Sequence, residues 1–177
     1  MDLMQYVEQG GVIVYILIAL NVIGFTMMLV KFIQIIMTRR NKHVLLTEVI
    51  EHIKGTGVPL KDEHVIVELI KDEMAKRLYA IETGLGTVKI IASISPLLGL
   101  LGTVAGVLMA FDAISKTGMG DPSVFAGGIS MALVTTVAGL IVAIPHYIGY
   151  NYLIGMLDGL EATVTGEILP TVYRPQP

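Results

Sequence analysis

The sequence predicts an all-α membrane protein with three transmembrane helices and long helices that extend into the cytoplasm. Three observations lead there. Of 177 residues, 54% are hydrophobic and 15% charged, and the mean hydropathy is +0.74; a soluble domain carries about a quarter of its residues as Asp, Glu, Lys and Arg. The remaining charge is clustered: residues 90–111 and 122–157 hold none of these four types, and 10–37 holds only Lys31. Each stretch reaches the roughly 20 residues that a helix rising about 1.5 Å per residue needs to cross about 30 Å of hydrocarbon. Finally, nine of the twelve basic residues (Arg39, Arg40, Lys42, Lys54, Lys61, Lys71, Lys76, Arg77 and Lys89) lie between the first two apolar stretches. By the positive-inside rule that segment is cytoplasmic, which puts the N-terminus outside and the C-terminus inside.

Along the chain, residues 1–10 form a short N-terminus on the outer, periplasmic side, and 11–37 the first span. No basic region precedes this span and no small-residue cleavage site follows it, so it reads as a retained helix and not a secretory signal. Lys31, near its cytoplasmic end, is placed to snorkel. Residues 38–89 form a cytoplasmic helical segment. "HVLLTEVIEHIK" has apolar residues at helical spacing, "GTGVP" breaks it, and the helix resumes with an apolar face through Val65, Leu69, Ala75 or Arg77, and Leu78 to Ile81. Glu68 with Lys71, Asp72 with Lys76 and Glu73 with Arg77 are spaced to pair along its wet face. This helix is expected to run on into the second span, 90–115. A periplasmic loop, 116–122, leads to the third span with its cytoplasmic extension, 123–157, and a cytoplasmic tail, 158–177, in which "LPTVYRPQP" ends the helix.

Several chemistries are excluded. "GLLGTVAG" resembles a nucleotide loop superficially, but it lacks the Lys-Ser/Thr ending, follows no strand and sits in lipid. His43, His52, His64 and His146 show no metal-ligand spacing, cysteine is absent, and no nucleophile–base constellation appears. No enzyme activity, cofactor or metal is expected.

What stands out instead is "ISPLLGLLGTVAGVLMAF", residues 94–111, whose small residues recur every three or four positions: Ser95, Gly99, Gly102, Gly106 and Ala110. The third span repeats the design with Gly128, Ala132, Thr135, Gly139 and Ala143. In lipid, helices associate by close backbone approach and interhelical hydrogen bonds, so such stripes pack helices or seat another one. Thr103 lies about 13 residues, or about 20 Å, from the cytoplasmic end of its span, and Thr136 is about as deep from the opposite surface. The two hydroxyls can meet near mid-membrane, the geometry of a pore wall or of a seat for another helix, with Thr135, Ser95, Pro96 and Pro145 as further candidates for lining such a pathway. The bland alternative is that each Thr bonds a carbonyl of its own helix. Pro96 and Pro145 free the carbonyls of Ala92 and Ile141, which either kinks the helix or hydrates a pathway. His146 reads as an interfacial, hydrogen-bonded histidine and Asp112 as an interfacial charge. No carboxylate lies in the central membrane zone, so any proton carrier must come from elsewhere.

"IASISPLLGLLGTVAGVLMAF" followed by "FAGGISMALVTTVAGLIVAIPHYIGYN" resembles the membrane core of the ExbB/TolQ proteins, relatives of the flagellar stator subunit MotA. The resemblance covers about residues 77–155 and rests on Pro-x-x-Gly-Leu-x-Gly-Thr, Gly-Ile-x-x-Ala-Leu-x-x-Thr and Ala-Ile-Pro runs in order and spacing. It implies a multi-pass protein of the bacterial inner membrane that assembles as a ring-shaped homo-oligomer, a pentamer, around the helices of a single-span ExbD/TolR-type partner. That partner would supply a membrane Asp, with Thr103 and Thr136 lining its surroundings. Gly99, Gly102, Gly106, Gly128, Ala132 and Gly139 would pack helices and seat the partner helix. The implied role is to use the proton motive force for TonB-dependent outer-membrane transport; a Tol-type envelope role through a TolA-like link, or a non-conducting scaffold, are the alternatives. Met131 stands where such sequences often carry Glu, which leaves the partner Asp as the obvious carrier.

Overall fold

The computed structural model describes residues 3–55, 63–118 and 122–172. They form helices α1 (Leu3–Arg40), α2 (Lys42–Gly55), α3 (Glu63–Thr117) and α4 (Ser123–Val172). Three stretches, Met4–Arg40, Ile81–Thr117 and Phe125–Val172, are long and apolar enough to cross a membrane. The expected break after Gly55, the middle of the 116–122 loop and the end of the tail with Arg174 lie outside the described residues.

Local chemistry sets the helix ends. Asn41 separates α1 from α2 by one residue: its N–H still donates to Met37 O at 3.0 Å, and its carbonyl accepts from Val44 at 3.0 Å. Gly118, at φ 79°, ends α3 in the left-handed conformation and donates to Ile114 O at 2.7 Å. Within α1, Gly11 has φ 60° and ψ −154°, a backbone state open essentially to glycine alone, and the helix kinks there. The residues before it are therefore helical too. Pro96 is accommodated inside α3, which runs without interruption from the charged segment into the second apolar stretch.

The chain divides into two compact units. The first comprises Met1–Met28 and Thr87–Tyr150. Its core is Leu17 of α1, Ile91 of α3 and Val142 of α4, with Ile13, Leu20, Leu98 and Ala138 packed around them. Gly10 lies beside Val134 and Gly24 beside His146, so α1 and α4 run parallel; Gly99 lies beside Thr136 and Gly106 beside Gly128, so α3 and α4 run antiparallel.

The second unit comprises Leu29–Gly86 and Asn151–Pro177. Leu45, Val49 and Ile53 of α2 are buried at helical spacing with Ile66, Ile70, Met74, Leu78, Ile81 and Leu85 of α3. From α4 come Leu153, Leu157, Leu160, Val164, Ile168 and Val172. Fully burying each such side chain contributes about 1.5–3 kcal/mol. The α3 face holds at Leu78 and Ile81, both buried, but differs from the one expected at its start, where Val65 is 38% exposed and Ile66 is buried. The segment offers two adjacent apolar residues per turn, at 65/66 and 69/70, and periodicity alone does not choose between faces 100° apart. The tail also differs, because α4 continues through Pro170 to Val172. Losing one N–H near a helix end costs little when Ile168 and Val172 are both buried. Asp72 pairs with Lys76 at 2.7 Å and Glu73 with Arg77 at 2.9 Å, and Arg77 also reaches Glu48 of α2. Lys31 does not snorkel into solvent: it is 9% exposed, and its stem lies where a Cβ on Gly84 would be, 1.9 Å from Cε.

Candidate functional site

The seam between α3 and α4 is built by glycine. A Cβ on Gly106 would stand 2.4 Å from Gly128 O, one on Gly128 2.5 Å from Gly106 O, and one on Gly139 2.6 Å from Ser95 O. Backbone therefore meets backbone, the contact that holds helices together where no hydrophobic effect can. Gly99 and Gly102 fit against Thr135, and Ala132 against Gly106. The two small stripes thus face each other within one chain, the helix-packing part of what was expected of these six residues.

The hydroxyls sort into two kinds. Ser95 and Thr135 are fully buried; Ser95 donates to Ile91 O at 2.7 Å, and Thr135 lies 2.9 Å from Met131 O and 3.0 Å from Ala132 O. Their bonds stay within their own helices. Thr103 and Thr136 are half-buried and their hydroxyls contact each other across the seam. Thr103 Oγ1 also lies 3.2 Å from Gly99 O and 3.2 Å from Ala132 O, and Thr136 Oγ1 lies 3.5 Å from Gly99 O. Two protons thus serve two hydroxyl oxygens and two carbonyls, which leaves lone pairs unused and lets either hydroxyl rotate between donor and acceptor roles.

Their position matters as much as their bonding. One flank of the seam, at Ile91, Leu98, Ala138 and Val142, is covered by α1. Thr103 and Thr136 lie on the other flank, beside Leu100, Val107 and Leu133, all exposed in the single chain. Pro96 is half-buried two turns along α3 from Thr103; Pro145 is seven residues from Ala138, on the stripe that meets α1, and takes no part in the pair. An apolar groove of about 560 Å³ between α1 and α4 includes Leu17, Asn21 and Val142 but neither threonine of the pair. Asp112, at the far end of α3, is exposed and paired with Lys116 at 2.6 Å.

His146 sits between α1 and α4. It is hydrogen-bonded as expected but fully buried in the chain, with Nδ1 2.6 Å from Val142 O and its ring 4.9 Å edge-on from Phe25 of α1. Gly24 makes the space for it: a Cβ there would fall 2.0 Å from Nε2. Gly24 in the first span was the only sequence signal, and pairing it with a histidine 122 positions away requires the fold. Ser130 donates to Gln9 of α1 at 2.9 Å, and Met131 lies against Gly11. Among the described residues no cluster of His, Asp and Glu could hold a metal ion.

Residues 34–165 match the sequence profile of the MotA/TolQ/ExbB proton channel family. An ExbB homologue, a biopolymer transport protein of Methanothermobacter thermautotrophicus, is 30% identical over 88% of this chain and 64% of its own length. The ExbB biopolymer transport protein of Aquifex aeolicus is 42% identical over 48% of this chain and 53% of its own length. That of Neisseria gonorrhoeae is 36% identical over 55% of this chain and 43% of its own length. The matches thus span between 43% and 64% of the length of these relatives.

Proposed function

The chain belongs to the MotA/TolQ/ExbB proton channel family, and from that premise we propose that it is the ring-forming membrane subunit of an ExbB-type proton-driven motor. One observation carries the reading: a pair of rotatable hydroxyls, Thr103 and Thr136, on the uncovered flank of the α3–α4 seam, in a membrane zone with no carboxylate of its own. In this reading copies of the chain form a homo-oligomeric ring, a pentamer, in the bacterial inner membrane with the N-terminus periplasmic and the C-terminus cytoplasmic. The uncovered flanks face inward, and an ExbD/TolR-type partner helix lies against them, beside the glycines and not on them.

The chemistry follows from what hydroxyls do. A carboxylate at the centre of a membrane helix costs about 2.5–3.5 kcal/mol on insertion scales. A hydrogen bond to a charged group returns about 1.5–3 kcal/mol. One or two threonine hydroxyls therefore nearly offset the cost of the ionised acid. Once the acid is protonated, the same hydroxyls rotate to accept from it. Both protonation states of the partner's Asp are then tolerated at one depth, as a proton relay requires. Passage of protons would turn the partner relative to the ring and feed a TonB-like protein that energises outer-membrane transport. The sequenced relatives named above are ExbB proteins, which favours this role over the TolQ type with its TolA-like link.

The test is proton flux in proteoliposomes under an imposed pH gradient and potential, for the chain with its single-span partner. Thr103→Val and Thr136→Val, nearly isosteric, should each lower flux by an order of magnitude or more, about 1.4 kcal/mol, while the complex still assembles. Undiminished flux in the double variant would refute the relay, and an assembled parent complex that carries no flux would favour a scaffold.

A further inference from the structure

We propose that Lys89 is the docking point for an acidic side chain of the single-span partner, at the cytoplasmic end of the flank that carries Thr103 and Thr136. The inference rests on the ring-and-partner reading above and adds a second, charged contact to it. Lys89 on α3 and Tyr150 on α4 each stand fourteen residues from the threonine of their own helix. Fourteen residues bring a helix back to within about 40° of the same face and advance it about 21 Å. Lys89 Nζ lies 5.6 Å from the centre of the Tyr150 phenol ring, so a cross-seam pair recurs at that level. Between the two levels Leu100 of α3 and Leu140 and Tyr147 of α4 are all exposed, and the strip is uncovered along its length.

The charge at its cytoplasmic end has no counter-ion. Lys89 is exposed and forms no ion pair with the described residues. There is no Asp or Glu in α3 over 83–111, in α4 over 123–157 or in α1 over 9–40, so none of the three spans supplies a carboxylate at this level. The face of a tyrosine attracts an ammonium but takes no conventional hydrogen bond from it, so its three N–H donors stay available. The direction of the side chain decides between a partner acid and a lipid phosphate. A lysine serving headgroups runs its stem toward them; this one crosses the seam to a ring on its own level, on the flank turned to the interior of the oligomer. A partner helix lying along that flank meets it about four turns to the cytoplasmic side of its own membrane acid. A carboxylate there gains a charge-assisted hydrogen bond. Two contacts about 21 Å apart fix the axial register of the partner helix, which one pair of hydroxyls does not. Each copy of the chain offers the same lysine, so a turning partner passes its acid from one to the next.

The test uses the full-length chain purified, with an affinity tag, together with the ExbD-type single-span subunit of the same organism. A carbodiimide, which joins an amine to a carboxylate without a spacer, should couple Lys89 to an Asp or Glu of that subunit, located by mass spectrometry. Binding is read as the detergent dilution at which half the partner is lost. Lys89→Met should weaken it about tenfold or more, and Lys89→Arg, which keeps the charge, should hold the partner more tightly than Lys89→Met. Lys116, paired with Asp112 at the other end of α3, is the control, and Lys116→Met should bind as the parent does. In Lys89→Glu, changing the coupled partner acid to Lys should restore binding. Partner binding within about twofold of the parent in both Lys89→Met and Lys89→Glu would overturn the proposal and leave the motor reading standing. Binding that depends on Lys89 in a complex that conducts no protons would do the reverse, and a chain that holds no partner would overturn both. An effect of Lys89→Met seen only when phosphatidylglycerol is present would assign the lysine to a lipid phosphate and overturn the partner contact.

Discussion

Gly127 and Gly128 are neighbours on one helix, yet a methyl group at each should have opposite effects. A Cβ at Gly128 would lie 2.5 Å from Gly106 O, 2.7 Å from Ala110 N and 2.9 Å from Ala110 Cβ, whereas ordinary contact begins at 3.4 Å. The nearest two of these atoms are backbone and cannot turn aside, so α3 and α4 must part by about 1 Å, an overpacking cost of about 2–3 kcal/mol. Helix propensity returns about 0.5–1 kcal/mol for Gly→Ala, which leaves Gly128→Ala destabilised by about 1–2.5 kcal/mol. At Gly127 nothing lies within 4 Å, so the same change keeps only the propensity gain. The two variants should thus differ by about 2–3 kcal/mol. The chain has seven tyrosines and no tryptophan, so unfolding by SDS can be followed by the near-ultraviolet circular dichroism of the tyrosines. If Gly127→Ala costs as much as Gly128→Ala, close glycine packing does not hold this seam.

Three further outcomes follow from the second unit. Ile70→Ala should cost about 2–5 kcal/mol, because Ile70 is fully buried, while Val65→Ala on the outer face should stay within about 0.5 kcal/mol; equal costs would restore the face that periodicity suggested. Arg77→Ala strands Glu73, which is 8% exposed and left with only His52 at 3.5 Å, and should cost about 1–3 kcal/mol. Glu48→Gln, at the exposed end of the same network, should cost under about 1 kcal/mol, and comparing the two by unfolding separates the buried charge from the surface pair. The hydrogen bond and charge of Asp72 raise the Lys76 ammonium above its ordinary value. The pair therefore stabilises below the ordinary lysine range and its contribution is lost as pH rises through the raised value. Asp72→Asn should move the ¹³Cε titration of Lys76 back down, with little change in stability near neutral pH; an unmoved titration would refute the pairing.

Legibility differed sharply between levels of structure. Charge-free runs longer than a bilayer and a basic segment between two of them identified the spans and the helices, and the ordered motif runs of the second and third spans carried the family resemblance. These are properties of the chain against a solvent, and solvent acts on each segment separately. The depth count also put Thr103 and Thr136 on a level, since a helix converts residue number into distance. Which face meets what was another matter. The glycines were legible as close-packing residues, but only the fold reveals that the two stripes fill each other and leave the hydroxyls on the uncovered flank. Two apolar residues per turn hid the buried face of α3, and Lys31 proved covered because Gly84 has no side chain. The burial of His146 was the least legible: its neighbour Gly24 lies 122 positions away, and a cavity made by the absence of a side chain leaves no mark until the two helices are side by side. Composition and period determine what each helix is, because they express its exchange with water and lipid; steric fit between helices decides which partner each face takes, because it depends on atoms that the chain brings together only when folded.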